Sequence, residues 1–204
     1  MMSIFDNLPA QTRASCLMIV ALFMFTVMGI CIRLSAAHLP VIEVVFFRNF
    51  LAVLILLPLV ARVGFGTLRM QRPKLFFLRA AINAVGMFCG FTALTLIPLA
   101  QMTALSFTTP LFVTIGAVAF LGEVIRARRI AAICIGFLGT MIILQPGVVD
   151  VTTGALLALV SALTIAMASL IVKTLTRSES QHAIVTWMVV FLVLLVLFLV
   201  LWVW

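Results

Sequence analysis

Seven long apolar runs, separated by short polar gaps, dominate the pattern along this chain of 204 residues. Each run is about 20 residues long, enough for a helix to cross a bilayer core of about 30 Å. The runs predict helices over Ala14–Ser35, Val41–Ala61, Leu75–Ile97, Leu99–Leu121, Arg128–Leu144, Thr152–Thr174 and Ile184–Trp204. In hydrocarbon every backbone N–H and C=O must be satisfied internally, so a spanning segment is a helix or part of a closed barrel. Barrel strands alternate apolar and polar residues. These runs are continuous, and an all-α integral membrane protein with seven transmembrane helices is the expectation. Gly64-Phe65-Gly66 and Gln145-Pro146-Gly147 punctuate two gaps. Short gaps make successive helices antiparallel neighbours.

The basic residues occupy alternate gaps. Arg13 precedes the first run, and Arg62, Arg69, Arg72, Lys74 and Arg79 surround the gap between the second and third. Arg126, Arg128 and Arg129 follow the fourth run, and Lys173 and Arg177 follow the sixth. The intervening segments Ile97–Ala100 and Gln145–Gly154 hold no Lys or Arg. Short loops rich in Lys and Arg stay on the cytoplasmic side. This predicts a multi-pass protein of the cytoplasmic (inner) membrane, with residues 1–13 a cytoplasmic N-terminus and Trp204 on the outside.

Composition agrees with that reading: 66% of residues are hydrophobic, 9% are charged, and mean hydropathy is +1.39. The net charge of +8 is explained by topology, with the lipid bilayer and its anionic head groups as partner. Nucleic acid is not an expected partner, because no basic face interleaved with aromatic residues is present. Cys16, Cys31, Cys89 and Cys134 all lie in apolar runs without metal or redox spacing, and read as small hydrophobes. The first run is longer than a signal-peptide core and is read as a signal anchor.

A weak internal echo lays Ala14–Leu54 over Gly154–Leu194 at an offset of about 140 residues, so that Arg33 meets Lys173 and Phe47 meets Trp187. A repeat restarting after five helices is inverted, because five is odd. Inverted repeats are a common construction of secondary transporters.

Several motifs carry a resemblance. They are Phe47-Arg48-Asn49 in the second span, Pro98-Leu99-Ala100 before the fourth and Thr109-Pro110-Leu111-Phe112 within it. Leu121-Gly122-Glu123 follows, then Arg126, Arg128 and Arg129, then a span holding Gly136 and Gly139. In these the chain resembles the drug/metabolite transporter superfamily, in its EamA-like branch. The resemblance covers one five-helix repeat, residues 14–147, and the start of a second over 152–204. It implies a fold of ten helices in two inverted repeats that moves small metabolites across the cytoplasmic membrane. This chain holds one complete repeat and the first two helices of the second. A fragment, a truncated product and a short form that pairs as a homodimer are all open.

Arg48 is the sharpest single position. It lies roughly 10 Å along the second span at 1.5 Å per residue, where a charge normally faces protein or water. Snorkelling to head groups is the competing reading. Glu43 follows Pro40 in the first helical turn, where a carboxylate suits the helix dipole; proton coupling is the functional alternative. In the fourth span Ser106 and Thr109 offer hydroxyls near Pro110, whose missing N–H can kink the helix and open a cavity. Packing through small residues would account for them equally. Asn83 needs a hydrogen-bond partner within the bilayer, and Gly86 and Gly90 form a GxxxG packing pattern. Glu123 is expected to pair with Arg126 and organise its turn.

No Gly-rich phosphate loop, paired catalytic carboxylates or metal-ligand spacing is found, so no cofactor, metal or enzyme chemistry is expected. Two functional readings stand. One is a secondary transporter of a small polar or amphipathic metabolite working by alternating access. In it Arg48, Asn83, Ser106 and Thr109 contact substrate, Pro110 is the kink and Glu43 a coupling candidate. The other is a non-transporting membrane subunit or an inactive remnant, favoured by the last run, nearly pure Val, Leu, Phe and Trp.

Overall fold

A computed structural model describes residues 10–63, 70–124, 127–144 and 152–203. Among them every regular element is a helix: α1 (Ala10–Ser35), α2 (Val41–Val63), α3 (Pro73–Leu96), α4 (Leu99–Ser106), α5 (Thr109–Leu121), α6 (Ala127–Leu144), α7 (Thr153–Leu175) and α8 (Gln181–Val203). Elements α4 and α5 are two halves of one span, Leu99–Leu121. Among the described residues, six spans are long and apolar enough to cross a membrane. In α6, the fifth expected span, the apolar stretch among the described residues is the shorter Ile130–Gly139.

Local chemistry sets the helix ends. Pro73 opens α3, where its fixed φ fits and no N–H is needed. Ile97 is extended because it precedes Pro98, and so ends α3. Pro110 leaves the Ser106 carbonyl without its intrahelical donor. The chain tightens there, with Phe107 N–H to Ala104 O at 3.2 Å and Thr108 N–H to Leu105 O at 3.0 Å, before α5 begins. The expected kink is therefore a break between two helices. Gly122 closes α5 in the left-handed region at φ 64°, where a Cβ would be strained. The Thr152 hydroxyl caps α7 by accepting from Ala155 N–H at 3.3 Å.

The centre is the crossing of α3 and α7, the most extensive helix contact. Both faces are small: Gly86, Gly90 and Ala93 on α3 meet Ala155, Ala158 and Ser161 on α7. Lipid tails are as apolar as leucine, so helices associate in a membrane by close packing and interhelical hydrogen bonds rather than by escape from water. Ser161 Oγ donates to Gly86 O at 2.9 Å, and both groups are buried. Ser161→Ala is expected to cost about 0.6 kcal/mol, and up to ~1.7, in thermal unfolding of the detergent-solubilised protein.

Successive helices are not the close neighbours that short connections suggested. α1 and α2 touch little along their lengths, and so do α7 and α8; α3 packs instead against both α7 and α8. The small-residue faces explain the preference, because bulky neighbours cannot approach as closely.

The turns α1–α2 and α7–α8 share one hydrogen-bond pattern. The N–H groups of Ala36, Ala37, His38 and Leu39 reach the carbonyls of Ile32, Leu34, Ser35 and Ser35. Those of Thr176, Arg177, Ser178 and Glu179 reach Val172, Thr174, Leu175 and Leu175, at the offset of the sequence echo. The two turns lie at opposite ends of the bundle. The first is level with the last turns of α3 through the Val44, Val45 and Phe91 cluster. The second meets the start of α3 at Gln71 and Arg72.

A candidate substrate cleft at Arg48

The start of α2 carries Arg48 into the bundle. Its Nε lies 3.3 Å from Met28 Sδ of α1 and its Nη1 3.5 Å from Met87 Sδ of α3. The guanidinium carbon sits 5.7 Å from the centre of the Phe91 ring. The side chain thus turns toward α3. A guanidinium has five N–H donors and thioether sulfur is a weak acceptor, so most of that hydrogen-bonding capacity is unused. No carboxylate pairs with it among the described residues. The cation–π contact with Phe91 supplies part of the compensation.

Beside Arg48 lies a cleft of about 520 Å³ between α1 and α2. Met28, Ile32, Leu39, Phe47, Leu51 and Ile55 make it largely apolar, and among the described residues Arg48 is its one charged group. An apolar cavity with a single strongly polar anchor is the usual make-up of a small-molecule site.

Asn49 is buried, donates to Val45 O at 2.7 Å, and approaches Met87 Sδ at 3.9 Å. Arg48 and Asn49 therefore share Met87, although adjacent residues on a helix point about 100° apart. The sulfur reaches both because a methionine side chain is long and adaptable. Asn83 is half-buried one turn before Met87 on α3, and its amide has no hydrogen bond among the described residues. The i, i+4, i+8 spacing of Asn83, Met87 and Phe91 sets them on neighbouring turns of one helix side.

The structure does not bring Ser106 and Thr109 to this cleft. Their elements pack on α7, not on α2. Ser106 is exposed and donates to Thr103 O at 2.6 Å, Thr109 is half-buried, and Pro110 is exposed at the start of α5. Glu43 is half-buried in the first turn of α2. Gly86 and Gly90 face Thr164 and Ser161 of α7. Glu123 bonds Lys173 of α7, while Arg126, its expected partner, lies outside the described residues.

Sequence reading passed over Met28, Met87, Phe91 and Glu179. Methionine serves packing as readily as it meets a cation, so in the sequence only the spacing of Asn83, Met87 and Phe91 marks a shared side. Glu179 is buried, and its Oε1 accepts from Gln71 N–H at 2.8 Å and Arg72 N–H at 3.0 Å. Glu179 precedes α8 and was available as a lone acid in a basic segment.

Long apolar helices packed through small residues, with an arginine held among them, define a multi-pass membrane protein. The chain belongs to the EamA-like transporter family, whose pattern matches residues 12–145. It is 37% identical over 153 residues to a riboflavin transporter of Rhizobium johnstonii, covering 75% of this chain and 51% of that protein. It is 31% identical over 190 residues to an S-adenosylmethionine uptake transporter of Rickettsia prowazekii, covering 90% of this chain and 65% of that one. A pseudopaline exporter of Pseudomonas aeruginosa is 31% identical over 170 residues, covering 83% and 60%. The chain spans about half the length of the riboflavin transporters it matches. No solved structure matches.

Proposed function

We propose that this chain forms the substrate-binding part of a secondary transporter that carries a small polar or amphipathic metabolite across the cytoplasmic membrane by alternating access. The observation that carries the reading is Arg48, a cation with unused donors at the side of a largely apolar cleft. A metabolite with an apolar body and an anionic or carbonyl group fits that combination. Asn83 is the neighbouring hydrogen-bond partner, and the gap between the α4 and α5 halves gives the opposite side of the bundle a hinge. Ser106 and Thr109 keep a role on that side, outside the cleft. The relatives are named for riboflavin, S-adenosylmethionine and pseudopaline, and two of the names specify uptake and export. Their names support a small-molecule cargo and leave its identity and direction to experiment.

An inverted repeat is the organisation that best supports alternating access here. The matching hydrogen bonds of the two turns, at opposite ends of the bundle, favour it. Under that relation the cleft between α1 and α2 is the counterpart of the space that α3 fills between α7 and α8. The loops rich in Lys and Arg favour a cytoplasmic position for the start of α3 and the end of α7.

The test is uptake and efflux of a labelled metabolite panel, flavins and sulfonium compounds included, in proteoliposomes holding the purified chain. Saturable flux of one compound, competed by its analogues, is expected. Absence of flux for the whole panel from well-folded protein would overturn the reading in favour of a non-transporting subunit.

A further inference from the structure

Among the described residues, the hydrogen bonds and ion pairs of side chains that join residues before 124 to residues after 152 are unevenly distributed. At the end where α3 begins there are three. Glu179 accepts from the Gln71 and Arg72 N–H groups, Lys173 pairs with Glu123, and Arg79 Nη1 donates to Ile184 O at 2.9 Å. Midway there is one, between Ser161 and Gly86. At the far end Gly154 meets Leu96 and Ile97, a wholly apolar contact. Among the described residues no side-chain hydrogen bond joins α3 to α7 there.

Resting on the alternating-access reading, we propose that the basic end is a gate seen closed in this structure, and that Glu179 is its latch. The carboxylate is 8% exposed and sits at the N-terminal end of a 24-residue helix. It receives two N–H groups directed along the helix start, where a negative charge is most favoured. The helix it holds carries Asn83, Met87 and Phe91. From Arg72 to Met87 is about 22 Å along the axis at 1.5 Å per residue. One rigid element therefore joins the latch to the surroundings of Arg48. Opening this end must break the Glu179 contacts and the Lys173–Glu123 pair. The apolar far end separates without breaking a side-chain hydrogen bond. Glu179 acts as a positioning residue, because it holds α3 and lies away from the cleft.

The reporter is Ser178→Cys, a near-isosteric change at a hydroxyl whose oxygen is shielded on the same turn. Labelling by a membrane-impermeant maleimide is read by peptide mass spectrometry in the full chain in proteoliposomes, without substrate. Slow labelling of the introduced thiol is expected. Adding Glu179→Ala should speed it about tenfold or more, as loss of charge-assisted hydrogen bonds allows, while Glu179→Gln, which keeps the acceptor oxygen, should give a smaller rise. Cys89 of α3, half-buried, is the internal control for unfolding. An unchanged rate at the introduced thiol in Glu179→Ala overturns the latch. Equal acceleration of Cys89 also overturns it, because Glu179 would then serve fold-wide stability. In a second arm, Lys173→Met removes the pair with Glu123. Labelling of the Ser178→Cys reporter should speed, and no change overturns the gate. Labelling that behaves as expected in protein without flux would sink the transport reading and leave the closed contact standing.

Discussion

Replacing Arg48 with alanine is expected to lower the initial uptake rate of the transported metabolite by about 10–100-fold, the range set by the ~1.5–3 kcal/mol of a hydrogen bond to a charged group. Chain level in the membrane should stay unchanged. Arg48 faces Met28, Met87 and Phe91 and no carboxylate, so its removal strands no opposite charge. Arg48→Lys should recover part of the rate, since a point charge remains but the planar fork is lost. Arg48→Met is the most telling variant. It fills similar space among the methionines and removes a charge that is costly to hold within the membrane. Thermal stability should hold or rise while uptake falls. Such a split separates a substrate contact from a packing role, because a structural anchor would lose both together. Full uptake by Arg48→Met would end the assignment of this cleft.

Much of the fold was legible because a bilayer leaves few choices. Long apolar runs had to become helices, and the expected span Leu99–Leu121 lies between Pro98 and Gly122 as the structure has it, while the kink expected at Pro110 is a full break. The echo between Ala14–Leu54 and Gly154–Leu194 surfaced as matching turns, since turn geometry follows local hydrogen bonding. Helix neighbours were not legible. Which helices meet depends on how small faces mesh in three dimensions, and α3 entering between α7 and α8 has no signature in loop length. The surroundings of Arg48 were half legible. A charge within an apolar run announces itself. The sulfur atoms around it do not, because methionine is used as widely for filling space as for meeting a cation. Ser106 and Thr109 show the converse case. Depth along a helix can be counted from sequence, but the side of the bundle a helix joins cannot.

The closeness of α3 and α7 leads to the second large effect. A Cβ built on Gly86 would lie 2.5 Å from Thr164 Oγ1, and one on Gly90 2.7 Å from Ser161 Oγ. Thr164 and Ser161 are anchored by hydrogen bonds to Ser161 O and Gly86 O, at 2.8 and 2.9 Å, so neither yields freely. Gly86→Ala and Gly90→Ala should each destabilise by about 1–3 kcal/mol, the usual cost of overpacking. The pair together should cost at least as much as either alone. Gly116→Ala makes the contrast. Its Cβ would meet Leu170 Cδ1, a flexible side-chain end that can swing aside, and a smaller loss is expected. Gly136→Ala and Gly139→Ala meet nothing within 4 Å and should be neutral, or gain up to ~1 kcal/mol from helix propensity. Thermal unfolding of the purified variants in one detergent ranks all five. The order Gly86 and Gly90 worst, Gly116 intermediate, Gly136 and Gly139 unharmed is particular to an α3–α7 crossing. A flat series would mean that these two helices do not meet through their glycines, and the rigid connection from Glu179 to the surroundings of Arg48 would lose its physical basis with them.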